Sequence, residues 1–140
     1  MATRDDVGEA LRAARTIAIV GCSPRPDRDS HRVARYLKEA GYRIVPVNPG
    51  AEHILDEPVY PDLEAIPADI ELDIVDVFRS PEHVPPIVEA AIGRGAKVVW
   101  LQLGCGHAEA EARARAAGLQ VVSDRCIKVE HRLRFGTAEG

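Results

Sequence analysis

No run of about 18 consecutive apolar residues occurs in the 140 residues of this chain, so no segment is expected to cross a membrane as a helix. The first residues, Met1-Ala-Thr-Arg-Asp-Asp6, are charged where an export signal would be apolar, and the expected location is the cytoplasm. A surplus of basic charge is missing as well. With a formal net charge of −4 there is no global field to draw the protein onto DNA or RNA, and any cationic patch has to be local. Cysteine is scarce and odd in number: Cys22, Cys105 and Cys126 show no C-x-x-C spacing, which argues against a disulfide framework or a zinc ribbon. Cys105, His107, Cys126 and His131 also lack the spacing of a zinc site, and no metal is expected. Repeats, linkers and low-complexity tracts do not occur, so one domain is expected over residues 1–140, with 136–140 as a loose tail.

What is present is an alternation of short apolar runs and amphipathic segments. A first helix is predicted over about 4 to 14, with Val7, Leu11 and Ala14 on one stripe and Thr3 as its cap. Strands are predicted at about 16–21, 43–47, 73–78, 97–101 and 119–122. Helices are predicted at about 30–40, from about 85 after a separate turn at 81–84, and at about 107–117. Pro85 and Pro86 are the reason for that separate turn, because Pro85 has no N–H to offer the carbonyl of Pro81. Residues 50–72, rich in proline and acid, read as irregular, with one helical turn near Leu63 to Ile66. Strands such as Ile17 to Val20 and Val98 to Leu101 are apolar throughout, as in a parallel sheet covered on both faces. The expected fold is α/β: a Rossmann-like, doubly wound parallel sheet of about five strands in three αβα layers, with ligands at the carboxyl ends of the strands.

The first of those ends carries the strongest signal. Val20-Gly21-Cys-Ser-Pro-Arg25-Pro-Asp-Arg28-Asp-Ser30-His31 leads from a strand through a Gly/Ser/Pro/Arg turn into a helix, where backbone N–H groups and the helix dipole attract anions. Arg25, Arg28 and Arg32 lie within one loop and one helical turn, a density suited to several phosphates. Plainer roles stay open: solvated charges for Arg28 and Arg32, a helix-start residue for His31, a turn residue for Asn48, pocket wall for Phe78, and a salt bridge to Glu82 for Arg79. Cys22, at a helix N-terminus beside arginines, is expected to have a lowered pKa if it serves chemistry, and otherwise to be a small buried residue.

A nucleotide cofactor follows from the turn, and familiar patterns narrow it. There is no G-x-G-x-x-G and no acidic residue closing the second strand, which ends Pro46-Val47-Asn48-Pro49; nor is there a G-x-x-x-x-G-K-[ST] loop. Adenine plus diphosphate without NAD features remains.

Five segments carry a resemblance. They are Val20-Gly21-x-Ser23-x-x-Pro26-x-Arg28-x-Ser30-His31, Gly41-Tyr42-x-x-x-Pro46-Val47-Asn48-Pro49, Asp76-Val77-Phe78-Arg79, Trp100-Leu101-Gln102-Leu103-Gly104 and Asp124-Arg125-Cys126. Over about residues 10 to 135 the chain resembles the coenzyme A-binding domain of the succinyl-CoA synthetase α-subunit type, and more closely the stand-alone bacterial CoA-binding proteins. The resemblance implies that Gly21, Cys22, Ser23, Arg28, Ser30 and His31 serve the diphosphate. Val47, Asn48 and Pro49 would serve the adenosine, and Phe78 and Arg79 the pantetheine arm. The synthetase has a basic residue just beyond the second strand where this chain has none, so the 3′-phosphate is assigned to an arginine such as Arg25. Non-catalytic binding of coenzyme A or acyl-CoA, as carrier or regulator, is the function this implies. The rivals are an NAD(P)-dependent or thiol-redox enzyme using Cys22 or Cys126, and a CoA-responsive module that meets a protein partner.

Overall fold

Alternate residues of each strand point to opposite sides of the sheet, and in this chain both sides are apolar. The computed structural model describes residues 5–136. In it β1 (Thr16–Val20), β2 (Arg43–Val47), β5 (Ile74–Val77), β6 (Val98–Leu101) and β7 (Gln120–Ser123) form a five-stranded sheet in the order β2-β1-β5-β6-β7. Every pairing is parallel. Ile17, Ile19, Ile44, Ile74 and Trp100 face α1 (Asp6–Ala13), α2 (Asp29–Glu39) and α5 (Ile127–Phe135) through Leu11, Val33, Leu37 and Ile127. Ala18, Val20, Val45, Val75 and Val99 face α3 (Val84–Gly93) and α4 (Ala108–Ala116) through Val84, Val88, Ala110 and Ala114. These are the three layers and the doubly wound sheet that the strand composition implies.

Local differences have local causes. Helix α1 is capped by Asp5, whose carboxylate accepts from the Gly8 N–H at 3.1 Å; the predicted cap Thr3 and the predicted tail beyond Gly136 lie outside the described residues. A 3₁₀ turn at Pro81–His83 precedes α3, which starts at Val84 and places Pro85 and Pro86 in the first helical turn, where a missing N–H costs nothing. Within the irregular segment, β3 (His53–Ile54) and β4 (Glu57–Pro58) form a minute hairpin. Its turn puts Leu55 and Asp56 at φ 53° and 63°, which no glycine announces. Helix α5 was not expected. Its buried positions Ile127 and His131 are one turn apart, and the imidazole, hydrogen-bonded to the Tyr36 hydroxyl at 2.8 Å, stands where an aliphatic would have completed the pattern.

Arg94, just past α3, organises the irregular segment. Its guanidinium donates to the carbonyls of Leu63, Ile66 (2.9 Å), Pro67 (3.0 Å) and Ile70 (3.2 Å), so a stretch with little regular backbone pairing is tied down by one side chain. Arg94→Gln is expected to lower stability by about 2–4 kcal/mol, as when a charged donor to several carbonyls is lost. Denaturant unfolding measures it, and a loss below about 0.5 kcal/mol would show that the segment holds itself.

Asp76 is the discordant core residue. It faces the same side as Ile74, paired in register with Ile19 and Trp100, has no exposure, and neither carboxylate oxygen finds a hydrogen-bond partner. Burial raises its pKa well above the ordinary 3.8, because its charged form would stand desolvated and without a partner. A raised folded-state pKa makes stability greatest below the unfolded value and erodes it as pH rises. Asp76→Asn is therefore expected to gain on the wild type as the pH rises from 5 to 8.5. Urea unfolding of both proteins at the two pH values reads this directly; a pH-independent difference would refute a buried ionisable cost.

Candidate functional site

The chain leaves β1 for β2 on one side and then crosses to β5 on the other, so β1 and β5 are the switch point where such sheets open a crevice. Gly21 follows β1 directly, with φ +86°. A Cβ there would lie 2.4 Å from the Phe78 carbonyl oxygen, so only glycine lets the turn pass against the exit of β5. The Gly21 and Cys22 amides donate to the Val47 carbonyl at 3.0 and 3.3 Å, bringing the end of β2 to the same point.

The short polar side chains of the turn bond to one another. Ser30 Oγ accepts from the Ser23 amide at 2.9 Å, His31 Nδ1 lies 2.9 Å from the Ser23 carbonyl, and Ser23 Oγ accepts from the Arg25 amide at 3.1 Å. Asn48 Nδ2 donates to the Cys22 carbonyl at 2.8 Å, and its Oδ1 accepts from the Gly50 amide at 2.7 Å. Ser23, Ser30, His31 and Asn48 thus fix the shape of the turn and its seat on β2. Helix α2 begins at Asp29 without a side-chain cap, leaving its first amides facing outward.

Three hollows meet around Gly21, Phe78 and Arg79. The first, about 520 Å³, is lined by Gly21, Ser23, Arg25, Arg28, Ser30 and Phe78 together with Asp27 and Asp29. The second, about 240 Å³, has an apolar wall of Val47, Pro49, Leu63, Pro86 and Ile87 beside Gly21 and Arg79, with the acids Asp62 and Glu64 also on its lining. The third, also about 520 Å³, runs from Phe78 and Arg79 past Gln102, Leu103, Cys105 and Cys126 to Lys128 and Arg132. The structure thus gathers Gly21, Ser23, Arg25, Arg28, Ser30, Val47, Pro49, Phe78 and Arg79 onto one crevice, while Cys22, His31 and Asn48 stand behind it. Arg25 lines the first hollow and lies 3.7 Å from Asp27; the cation beside Pro49 is Arg79.

Charge is distributed unevenly among the arginines. Arg32 is bound to the Asp29 carboxylate and the Asp27 carbonyl. Arg28 and the half-buried Arg79 have no acidic partner among the described residues. Glu82, the salt-bridge partner that the plainer reading gave Arg79, instead accepts from the Ser80 hydroxyl and lies 3.8 Å from His83. Of the two readings of Cys22, the small buried residue holds and the activated thiol does not. Its side chain turns into the core with no exposure, and burial, helped by the nearby Asp76, pushes the thiol up to about 12. Cys105 is also buried and raised, by burial first; Cys126 is half-buried at the start of α5.

Sequence reasoning missed the wall that α5 supplies. The indole of Trp100 donates to the Arg125 carbonyl at 2.8 Å, and Gln102 Oε1 accepts from the Ile127 amide at 3.1 Å. Asp124, at φ +60°, accepts from the Gly104 amide at 3.1 Å. The Trp100–Gly104 and Asp124–Cys126 motifs therefore dock α5 on the sheet and place Lys128 and Arg132 at the crevice. A spacing of four and eight from Ile127 through His131 to Phe135 was the only local signal.

Residues 15–132 match the family described as CoA binding domain. The chain is 39% identical over 129 residues to uncharacterized protein YneT of Bacillus subtilis (strain 168), covering 92% of this chain and 94% of that one. A solved structure of a hypothetical protein from Pyrococcus horikoshii OT3 superposes with a TM-score of 0.88 at 40% identity, covering 95% of this chain and 97% of that one. A shorter match, 28% identical over 85 residues, is to acetate–CoA ligase (ADP-forming) II of Archaeoglobus fulgidus; it takes in 59% of this chain and 12% of the ligase. With the family pattern spanning both the crevice turn and the docking motifs of α5, the chain belongs to the CoA-binding domain family.

Proposed function

We propose that the chain is a single binding domain that holds coenzyme A or an acyl-CoA along the carboxyl edge of its sheet. The observation that carries this reading is the meeting of three hollows at Gly21, Phe78 and Arg79, each of them touching an arginine, Arg28 or Arg79, that lacks an acidic partner among the described residues. The diphosphate takes the first hollow, on the outward amides of α2 with Arg25 and Arg28. The adenosine part takes the apolar hollow by Val47 and Pro49. The pantetheine arm passes Phe78 and Arg79 into the third. Arg79, which lines both the second and third hollows, is the better-placed cation for the 3′-phosphate. Coenzyme A would supply a thiol able to carry acyl groups; the protein's part is to bind and orient it.

A non-catalytic role, as carrier or regulator in the cytoplasm, fits the chemistry of the turn. The Cys22 thiol at about 12 is no nucleophile near neutrality, and His31 Nδ1 is engaged by the Ser23 carbonyl. The same facts count against a thiol-redox enzyme built on Cys22. An NAD reading has no carboxylate at the end of β2, where Asn48 is committed to Cys22 and Gly50. No helix among the described residues is long and apolar enough to cross a membrane.

Isothermal titration tests the proposal. CoA is expected to bind in the micromolar range, about −8 kcal/mol, with NAD silent. Arg28→Ala and Arg79→Ala are each expected to weaken CoA by roughly 1.5–3 kcal/mol, the worth of a hydrogen bond to a charged group. Dephospho-CoA should bind more weakly than CoA to the wild type, and equally to Arg79→Ala. Heat from NAD and none from CoA would overturn the reading.

A further inference from the structure

The third hollow, proposed above for the pantetheine arm, extends from Phe78 and Arg79 as far as Lys128 and Arg132. Past Phe78 its wall is Val33, Leu103, Cys105, Cys126 and Val129, and two of these, Leu103 and Val129, are large apolar side chains left 65% and 39% exposed. Exposed apolar residues gathered at one recess mark a surface that an apolar ligand segment can cover.

The far end of the recess changes character. Arg32, Lys128 and Arg132 line it, and the same three line an adjoining groove of about 710 Å³ between α2 and α5, where Arg35 adds a fourth cation. Arg32 is neutralised by Asp29. Arg35, Lys128 and Arg132 have no acidic partner among the described residues, and Lys128 Nζ rests 5.8 Å from the centre of the Tyr36 ring. Glu39, the groove's one acid, is about two turns along α2 from Arg32. Lys128 and Arg132 are four apart on α5, where like charges repel and cost helix stability. Such a pair is relieved by an anion placed between its heads.

We infer that this recess seats the acyl group of a bound acyl-CoA, and that Lys128 and Arg132 select a short acyl chain ending in a carboxylate. The inference rests on the CoA reading above. A neutral chain gains only the apolar wall. A chain of the same length ending in a carboxylate gains that wall and charge-assisted hydrogen bonds from Lys128 and Arg132, neither of which is paired with Asp29 or Glu39, the acids that line the recess and the adjoining groove.

The matched probes are valeryl-CoA and glutaryl-CoA, which share a five-carbon acyl chain and differ in its end, methyl against carboxylate. Titrated into the full chain beside CoA, glutaryl-CoA is expected to bind about tenfold tighter than valeryl-CoA. The double variant K128Q/R132Q is expected to bring that ratio to about one, whatever it does to CoA itself. Valeryl-CoA serves as the folding control for the variant. CoA binding with equal affinity for the two thioesters in the wild type would overturn this inference alone. So would a preference that survives in the variant. No binding of any of the three would overturn the CoA reading and this inference with it.

Discussion

The crevice depends on a side chain that is absent. At Gly21 the backbone of the β1 exit approaches the Phe78 carbonyl so closely that a Cβ would sit 2.4 Å from the oxygen. Real Cβ contacts are not that short, so any other residue would push the exits of β1 and β5 apart. The neighbouring amides are already drawn to Val47 at the end of β2. Three strand ends are therefore brought together by backbone contacts, with Asn48 adding a side-chain tie from β2 to the turn, and the three hollows share walls because of it. The left-handed conformation and the close approach act together, since φ +86° turns the chain away from β1 in the one direction that also brings it onto β5.

Division of labour among polar side chains follows from length. Serine, asparagine and histidine are short enough to reach backbone groups within the turn, and Ser23, Ser30, Asn48 and His31 spend their polar atoms there. Satisfying those groups internally fixes the turn before a ligand arrives, which lowers the ordering cost of binding. Of the arginines, Arg32 folds back onto Asp27 and Asp29. Arg28 and Arg79 reach past the rigid turn into the crevice, where an anion can meet them.

Legibility in the sequence tracks whether a feature has local causes. The five strands and α2, α3 and α4 were readable because each must bury apolar residues at a fixed period against the sheet. The separate turn before α3 was readable because Pro85 and Pro86 allow little else. Helix α5 was not: its start is set by Gln102 and Trp100, some 25 residues earlier, and a histidine occupies its core stripe. The β3–β4 hairpin was hidden because Leu55 and Asp56 take conformations usually reserved for glycine or asparagine. Within the site, the cluster around Gly21 was visible, but the roles were not. Cys22 neighbours the arginine-rich loop in sequence, yet its side chain lies in the core beside Asp76, and of its two readings the small buried residue is the one that holds.

Helix α5 shows how one element serves stability and recognition without conflict. Ile127 packs into the core against the sheet, and His131 packs edge-on against Tyr36 of α2 and Tyr42 with ring centroids 5.4 and 5.7 Å away. Arg134 donates to both oxygens of Asp5 at 2.9 and 3.0 Å and so ties the helix to the cap of α1. Lys128 and Arg132 fall about 100° round the helix from Ile127 and His131, which turns them from the core to the crevice edge. The helical period thus lets nine residues carry a core stripe, a tether and a basic wall. Because Gln102 and Trp100 fix where the helix starts, they also fix which residues reach that wall. A one-residue slip would rotate Lys128 and Arg132 away from it while the sheet itself remained unchanged.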